Sequence, residues 1–196
     1  MFKSYANKIT SFLIENKEIN KDDYEIYKYG FEVLIAFIVN TVVILSIGLL
    51  FNKLFYSIVF LICYCPIRQF AGGYHANNYI KCLLVFTFIF ILTINTSSRV
   101  NSNIYTLMIF IISTLSYIGI FILAPLEHRN NPLTLSEIKK YKNISRILTG
   151  IVYILTLIFA NIDRFKEISA YTCSSLFWIN IMLCLGTIKS SLSKGN

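Results

Sequence analysis

The chain has 196 residues, 56% of them hydrophobic and only 14% charged, with a mean hydropathy of +0.63. A soluble domain carries about 25% charged residues, so a soluble enzyme is excluded and one membrane-embedded unit over residues 1–196 is expected. The net charge of +8 comes from bases in the gaps between apolar runs, which points to membrane topology and an acidic peptide or lipid partner, not nucleic acid.

Residues 1–30 read as an interfacial and cytosolic N-terminal segment. They mix charges and hold no continuous apolar run ahead of a cleavage site, so no secretory signal is expected. Phe2, Tyr5, Ile9, Phe12 and Leu13 recur at spacings of three and four, opposite lysines and asparagines. That pattern predicts an amphipathic helix lying on the inner leaflet or, equally, one packed on cytosolic loops.

A transmembrane bundle follows over residues 31–188. Phe31–Phe51, Ile104–Pro125, Ile147–Ile162 and Ile168–Ile188 are long enough, or nearly so, to cross a bilayer whose core needs roughly 20 helical residues. Leu54–Pro66 and Cys82–Thr96 are shorter and flank a polar stretch. The fold class is therefore all-α: a polytopic membrane helical bundle of about six transmembrane segments plus an N-terminal amphipathic interfacial helix. Unclosed strands would leave backbone groups unpaired in lipid. Residues 189–196 read as a cytosolic tail.

If the N-terminus is cytosolic, fourteen Lys and Arg residues fall inside and four (Lys53, Arg99, Arg164, Lys166) fall outside. This asymmetry predicts a multi-pass cell-membrane protein with both termini cytosolic. The two short segments can span by snorkelling Lys53, Arg68 and Lys81 to the interfaces, or can dip in from the outer side as a re-entrant hairpin. The charge count fits both. Spanning is preferred because Arg68 and Lys81 both need water or phosphate.

The polar stretch is Arg68-Gln-Phe-Ala-Gly-Gly-Tyr-His75, with Cys82 seven residues further on. Pro66 is expected to end the second span, and Gly72-Gly73 to permit backbone angles closed to other residues. Asn77 or Asn78 can cap the next helix and put Cys82 in its first turn or just beyond. A thiol beside an imidazole can share its proton and become a nucleophilic thiolate, which makes His75 and Cys82 a candidate dyad at the cytosolic face. On one straight helix the two would lie about 10 Å apart along the axis, so the dyad requires His75 in a loop folded back over the helix start. The plain alternative is an ordinary interfacial histidine and a packing cysteine.

Cys63, Cys65, Cys173 and Cys184 lie in apolar runs and read as packing residues; an odd total of five with no CxxC argues against a disulfide framework. His75, Cys82 and the distant His128 form no recognised ligand spacing, so no metal and no cofactor are expected.

Arg68, Gly72-Gly73, His75 and Cys82 at this spacing resemble the accessory gene regulator B family (AgrB), membrane cysteine peptidases that mature quorum-sensing peptides. The six-segment hydropathy, the amphipathic start and the stretch Ala124-Pro125…Asn131-Pro132-Leu133 extend the resemblance over nearly the whole chain. It implies that Cys82 is the nucleophile and His75 its general base. It also implies an AgrD-like propeptide substrate with an amphipathic leader, a core bearing a cysteine or serine, and an acidic tail. Cys82 would cut at the core–tail junction, hold the core as a thioester and pass it to the core's own side chain, closing a thiolactone or lactone.

Arg68 matches the family's motif arginine, as an orienting residue, a carboxylate contact or a lipid anchor. Gln69 or backbone N–H groups are candidates for an oxyanion hole, and Gly72 and Gly73 for shaping the backbone. Lys139, Lys140 and Lys142 are a candidate contact for the acidic tail and equally a positive-inside signal. Asn77, Asn78 and Glu127 are candidates for a third catalytic residue, and a bare dyad is the other option. A homodimer is implied by the resemblance alone, since no GxxxG face is visible. The competing reading is a small membrane transport or binding protein in which His75 and Arg68 line a substrate path.

Overall fold

The computed structural model describes residues 2–73, 79–97, 103–126 and 134–194. Seven α-helices account for most of them: α1 (Phe2–Glu15), α2 (Tyr24–Leu50), α3 (Leu54–Ala71), α4 (Tyr79–Ser97), α5 (Asn103–Leu123), α6 (Leu135–Ala160) and α7 (Lys166–Lys194). Six of these, α2 to α7, are long and apolar enough to cross a membrane, so the chain is an all-α, multi-pass membrane protein.

The amphipathic start forms a helix as its periodicity requires. In α1 the small residues Ala6 and Thr10 are fully buried, and the helix packs chiefly on α2. Tyr5, Ile9 and Phe12 remain exposed, the apolar stripe an interfacial helix offers to lipid.

Several helices outrun the apolar segments that announce them. α3 does not stop at Pro66 but runs through it to Ala71. Proline inside a membrane helix forfeits one hydrogen bond, a loss neighbouring helices can absorb. Glycine ends the helix instead: Gly72 has φ +70° and its N–H caps the carbonyl of Arg68 at 3.1 Å. α6 likewise begins well before Ile147. Its start is fixed by a capping box in which the Thr134 N–H donates to Glu137 (2.8 Å) and the Glu137 N–H to the Thr134 hydroxyl (3.4 Å). The basic run Lys139–Lys142 therefore lies on a helix rather than in a loop.

The bundle is organised around α7, which packs on α3, α4, α5 and α6. Between helices in lipid there is no hydrophobic driving force, so close packing by small residues takes its place. Ser113, Ser145, Thr149, Thr156, Ser169, Thr172 and Ser175 are all buried. Their hydroxyls are satisfied largely within their own helices, and Thr156 also donates across to Thr172 at 2.8 Å. Large apolar residues such as Ile111, Leu115, Ile118 and Ile122 on α5 face outward.

α3 and α7 run parallel. At one end Lys53, just before α3, forms an ion pair with Glu167 in the first turn of α7; at the other, Gly73 approaches the carbonyl of Met182. α3 thus tracks α7 from Glu167 to Met182, about 22 Å of helix. That reach suits a spanning helix better than a shallow hairpin, and α3 is long and apolar enough to cross a membrane. An aromatic column fills the space between the two ends: Tyr56 stacks on Tyr171 (5.2 Å between centroids), Tyr171 meets Phe90 (6.5 Å), Phe90 meets Phe60 (5.4 Å) and Phe60 stacks on Tyr64 (5.4 Å).

Candidate active site

At the end opposite Lys53, four elements converge: the last turn of α3, the Gly72-Gly73 turn, the first turn of α4 and the Ala124–Leu126 segment after α5. Each is placed by a specific contact. Gly72 pairs with Leu126, whose N–H donates to the carbonyl of Ala71 at 2.9 Å. A Cβ on Gly72 would run into the Leu126 backbone, with the carbonyl carbon 3.1 Å away. The Ala124-Pro125 stretch is thereby locked against the glycine turn. Gly73 has φ +118°, and a Cβ there would sit 2.5 Å from Arg68 Nη1 and 3.2 Å from the Met182 carbonyl oxygen. The missing side chain of Gly73 is the space the guanidinium occupies.

Arg68 thus reaches inward from the last turn of α3, and its Nη1 is buried. Its guanidinium is within hydrogen-bonding reach of the Tyr64 hydroxyl, one turn earlier, and within electrostatic range of the Cys82 thiol. Cys82 is the fourth residue of α4, half-buried and unpaired in any disulfide. A cation held in such a position stabilises negative charge that develops on or beside the sulfur.

His75 lies outside the described residues, as do Asn77, Asn78, Glu127, His128 and Asn131–Leu133. Of the other sequence-derived candidates, Arg68, Gly72, Gly73 and Cys82 are brought together. Gln69, next to Arg68 on α3, is exposed. Lys139 and Lys140 are exposed and Lys142 half-buried on the first turns of α6. Within that run Tyr141 packs edge-on against Phe70 at 5.4 Å, which sets the basic stretch beside the end of α3 that carries Arg68. Cys63 and Cys173 are buried and Cys65 and Cys184 half-buried, as packing residues are.

Two polar groups near Cys82 are absent from the sequence-derived set. Glu32 is the one acidic residue within the apolar run Phe31–Phe51 and is only 6% exposed. Its Oε2 accepts a hydrogen bond from the Tyr79 hydroxyl at 3.0 Å, and Tyr79 lies on the helix that carries Cys82, three residues before it. A carboxylate inside a membrane span is itself a signal of function, and that signal was available in the sequence.

Fold and site together define a six-span helical membrane protein that presents a half-buried cysteine beside an arginine and a glycine pair at one end of its bundle. A family model described as Accessory gene regulator B matches residues 6–186. The chain belongs to this family, AgrB, and so has a role in accessory gene regulator quorum sensing, in a family associated with peptide processing. Among its relatives, an AgrB-like protein of Clostridium perfringens (strain SM101 / Type A) is 28% identical, over 72% of this chain and 67% of its own length. AgrB-like protein 1 of Clostridium perfringens (strain 13 / Type A) is 26% identical, over 87% and 90% of the two chains. Accessory gene regulator protein B of Staphylococcus aureus (strain bovine RF122 / ET3-1) is 26% identical, over 79% and 83%. No solved structure matches the chain.

Proposed function

We propose that the chain is a membrane cysteine endopeptidase that removes the acidic C-terminal tail of an AgrD-like propeptide and promotes ring closure of the remaining core. The observation that carries this reading is that Arg68, held against the Gly72-Gly73 turn, lies within electrostatic range of the half-buried Cys82, in a chain of the AgrB family.

His75 acts as general base and takes the thiol proton. The sulfur attacks the carbonyl carbon at the core–tail junction, and the tetrahedral intermediate carries its charge on oxygen. Arg68 stabilises that charge, with backbone N–H groups at the start of α4 as further donors. As the intermediate collapses, the C–N bond breaks and the proton on His75 passes to the departing amine of the tail. The core remains on Cys82 as a thioester. The core's own thiol or hydroxyl then gives its proton to His75 and attacks that carbonyl; the C–S bond to Cys82 breaks, the departing sulfur shares the proton on His75, and a thiolactone or lactone closes.

Exchange of one thioester for another is close to balanced, whereas hydrolysis would run to completion. A pocket at the membrane edge that limits water and holds the core nucleophile near the acyl carbon favours the ring. Release and dilution of the tail draw the sequence forward. The basic turns of α6, set beside α3 through Tyr141 and Phe70, suit an acidic tail. The preference of basic residues for the cytosolic side supports reading both termini and this site as cytosolic. The whole chain from 1 to 196 serves as one peptidase unit, and pairing into a homodimer and contact with lipid belong to the same reading.

The experiment is tail release from a co-reconstituted propeptide. Cys82→Ala and His75→Ala should each abolish it. A Cys82→Ala protein that cleaves at the normal rate would dismiss the nucleophile and favour a transport or binding protein.

A further inference from the structure

We propose that Glu32 is a positioning residue for this reaction: through the Tyr79 hydroxyl it fixes the rotation of the first turn of α4, and so aims Cys82 at Arg68. The inference rests on the reading of Cys82 as the nucleophile.

The location makes the case. A carboxylate in an apolar helix is costly to bury, and an apolar residue would join two helices at lower cost. Glu32 is nonetheless the single acidic residue in its run, almost wholly enclosed, with α1 packed on the helix that carries it. It is engaged by a phenol from α4, 47 positions away in the chain. Tyr79 lies on the stretch of α4 that carries Cys82. Tyr79 and Cys82 are three positions apart and share one face of the helix. The Tyr79 ring is also backed by Phe2 of α1, with centroids 5.7 Å apart. Phenol and thiol lie within electrostatic range of each other.

The first turn of α4 is therefore held from two sides, by a hydrogen bond to α2 and by a ring contact to α1. A rotation of about 20° about the α4 axis would displace a side-chain atom by roughly 2 Å. Misplacement of a reacting group by about 1 Å can cost a hundredfold in rate. A single hydrogen bond at Tyr79 can thus govern catalysis without touching the substrate.

The test measures kcat and KM for tail release by the full-length protein in liposomes, with thermal unfolding followed in parallel. Glu32→Ala and Tyr79→Phe should each lower kcat about tenfold, with KM unchanged within about twofold. Glu32→Gln keeps an oxygen acceptor for the phenol and should recover most of the rate. The Glu32→Ala/Tyr79→Phe double variant should be no slower than either single, because both remove one interaction. If Glu32→Ala does not fold, Tyr79→Phe, which loses only an oxygen, carries the test. Wild-type kcat in Tyr79→Phe, or multiplicative losses in the double variant, would overturn the proposal. Loss of activity in Cys82→Ala alongside full activity in Tyr79→Phe sinks only this inference; activity in Cys82→Ala sinks the reading beneath it.

Discussion

Lys53 and Arg68 bracket the same helix, yet they meet opposite surroundings. Lys53 is paired with the carboxylate of Glu167 and lies 5.0 Å from the centroid of the Tyr56 ring, so its charge is balanced where it sits. Arg68 reaches over a glycine toward a phenol and a thiol. The first arrangement closes one end of the bundle by joining α3 to α7. The second holds a cation at the end of α3 that meets the Gly72-Gly73 turn and lies within electrostatic range of Cys82. The aromatic column between them holds the two ends at fixed separation, so on the proposed reading one helix serves closure at one end and chemistry at the other.

This contrast can be broken from the Arg68 side first, where the largest effects are expected. Arg68→Ala should lower the rate of tail release about a hundredfold or more, as loss of an oxyanion donor does, with Arg68→Lys intermediate because it keeps the charge without the planar fork. Comparable rates in Arg68→Ala and the unmodified protein would remove the guanidinium from the chemistry. Next in size is Gly73→Ala. The new methyl would take the space of Arg68 Nη1 and force a left-handed backbone on alanine, so the rate should fall about tenfold or more. Combining it with Arg68→Ala should add little, which a double-mutant cycle would read.

The basic turns of α6 offer a subtler test. Lys139→Glu with Lys140→Glu should raise KM for an acidic-tailed propeptide by about threefold to tenfold, leave kcat unchanged, and lose most of that difference at high salt. An equal effect on a propeptide with a neutral tail would mean that the lysines only set topology. Smallest in rate should be the Lys53 end. Glu167→Gln should lower stability by roughly 1 kcal/mol, as the loss of a partly exposed pair does, while the folded protein cleaves within about twofold of the unmodified rate. A large kcat effect there would show that the two ends are coupled.

Much of the bundle was legible in the sequence because a span needs a long apolar run, and such runs can be counted. The boundaries were less so. Pro66 looks like a terminator, but a membrane helix tolerates it, and the true stop is the positive φ of Gly72. The apolar run began only at Ile147, although Thr134 and Glu137 carried a capping box that marks the start of α6 well before it. At the site, Arg68, the glycines and Cys82 stood out as a polar island in an apolar chain. Their partners did not, because the contacts that matter join distant parts of the chain: Glu32 with Tyr79, Gly72 with Leu126, Lys53 with Glu167. Apolar periodicity carries no information about which helices meet. The buried hydroxyls of α7 are a further case, since they read as polarity within a span until close packing explains them.

The central claim is an acyl group carried on Cys82. It is tested most directly by intact mass spectrometry of the reconstituted protein with a propeptide whose core nucleophile is replaced by alanine, so that the intermediate has no ring to close. The predicted result is a mass gain equal to leader plus core, mapped to the peptide containing Cys82 and released by hydroxylamine. Tail release at the normal rate with no such adduct on Cys82, or with the adduct on another residue, would contradict it.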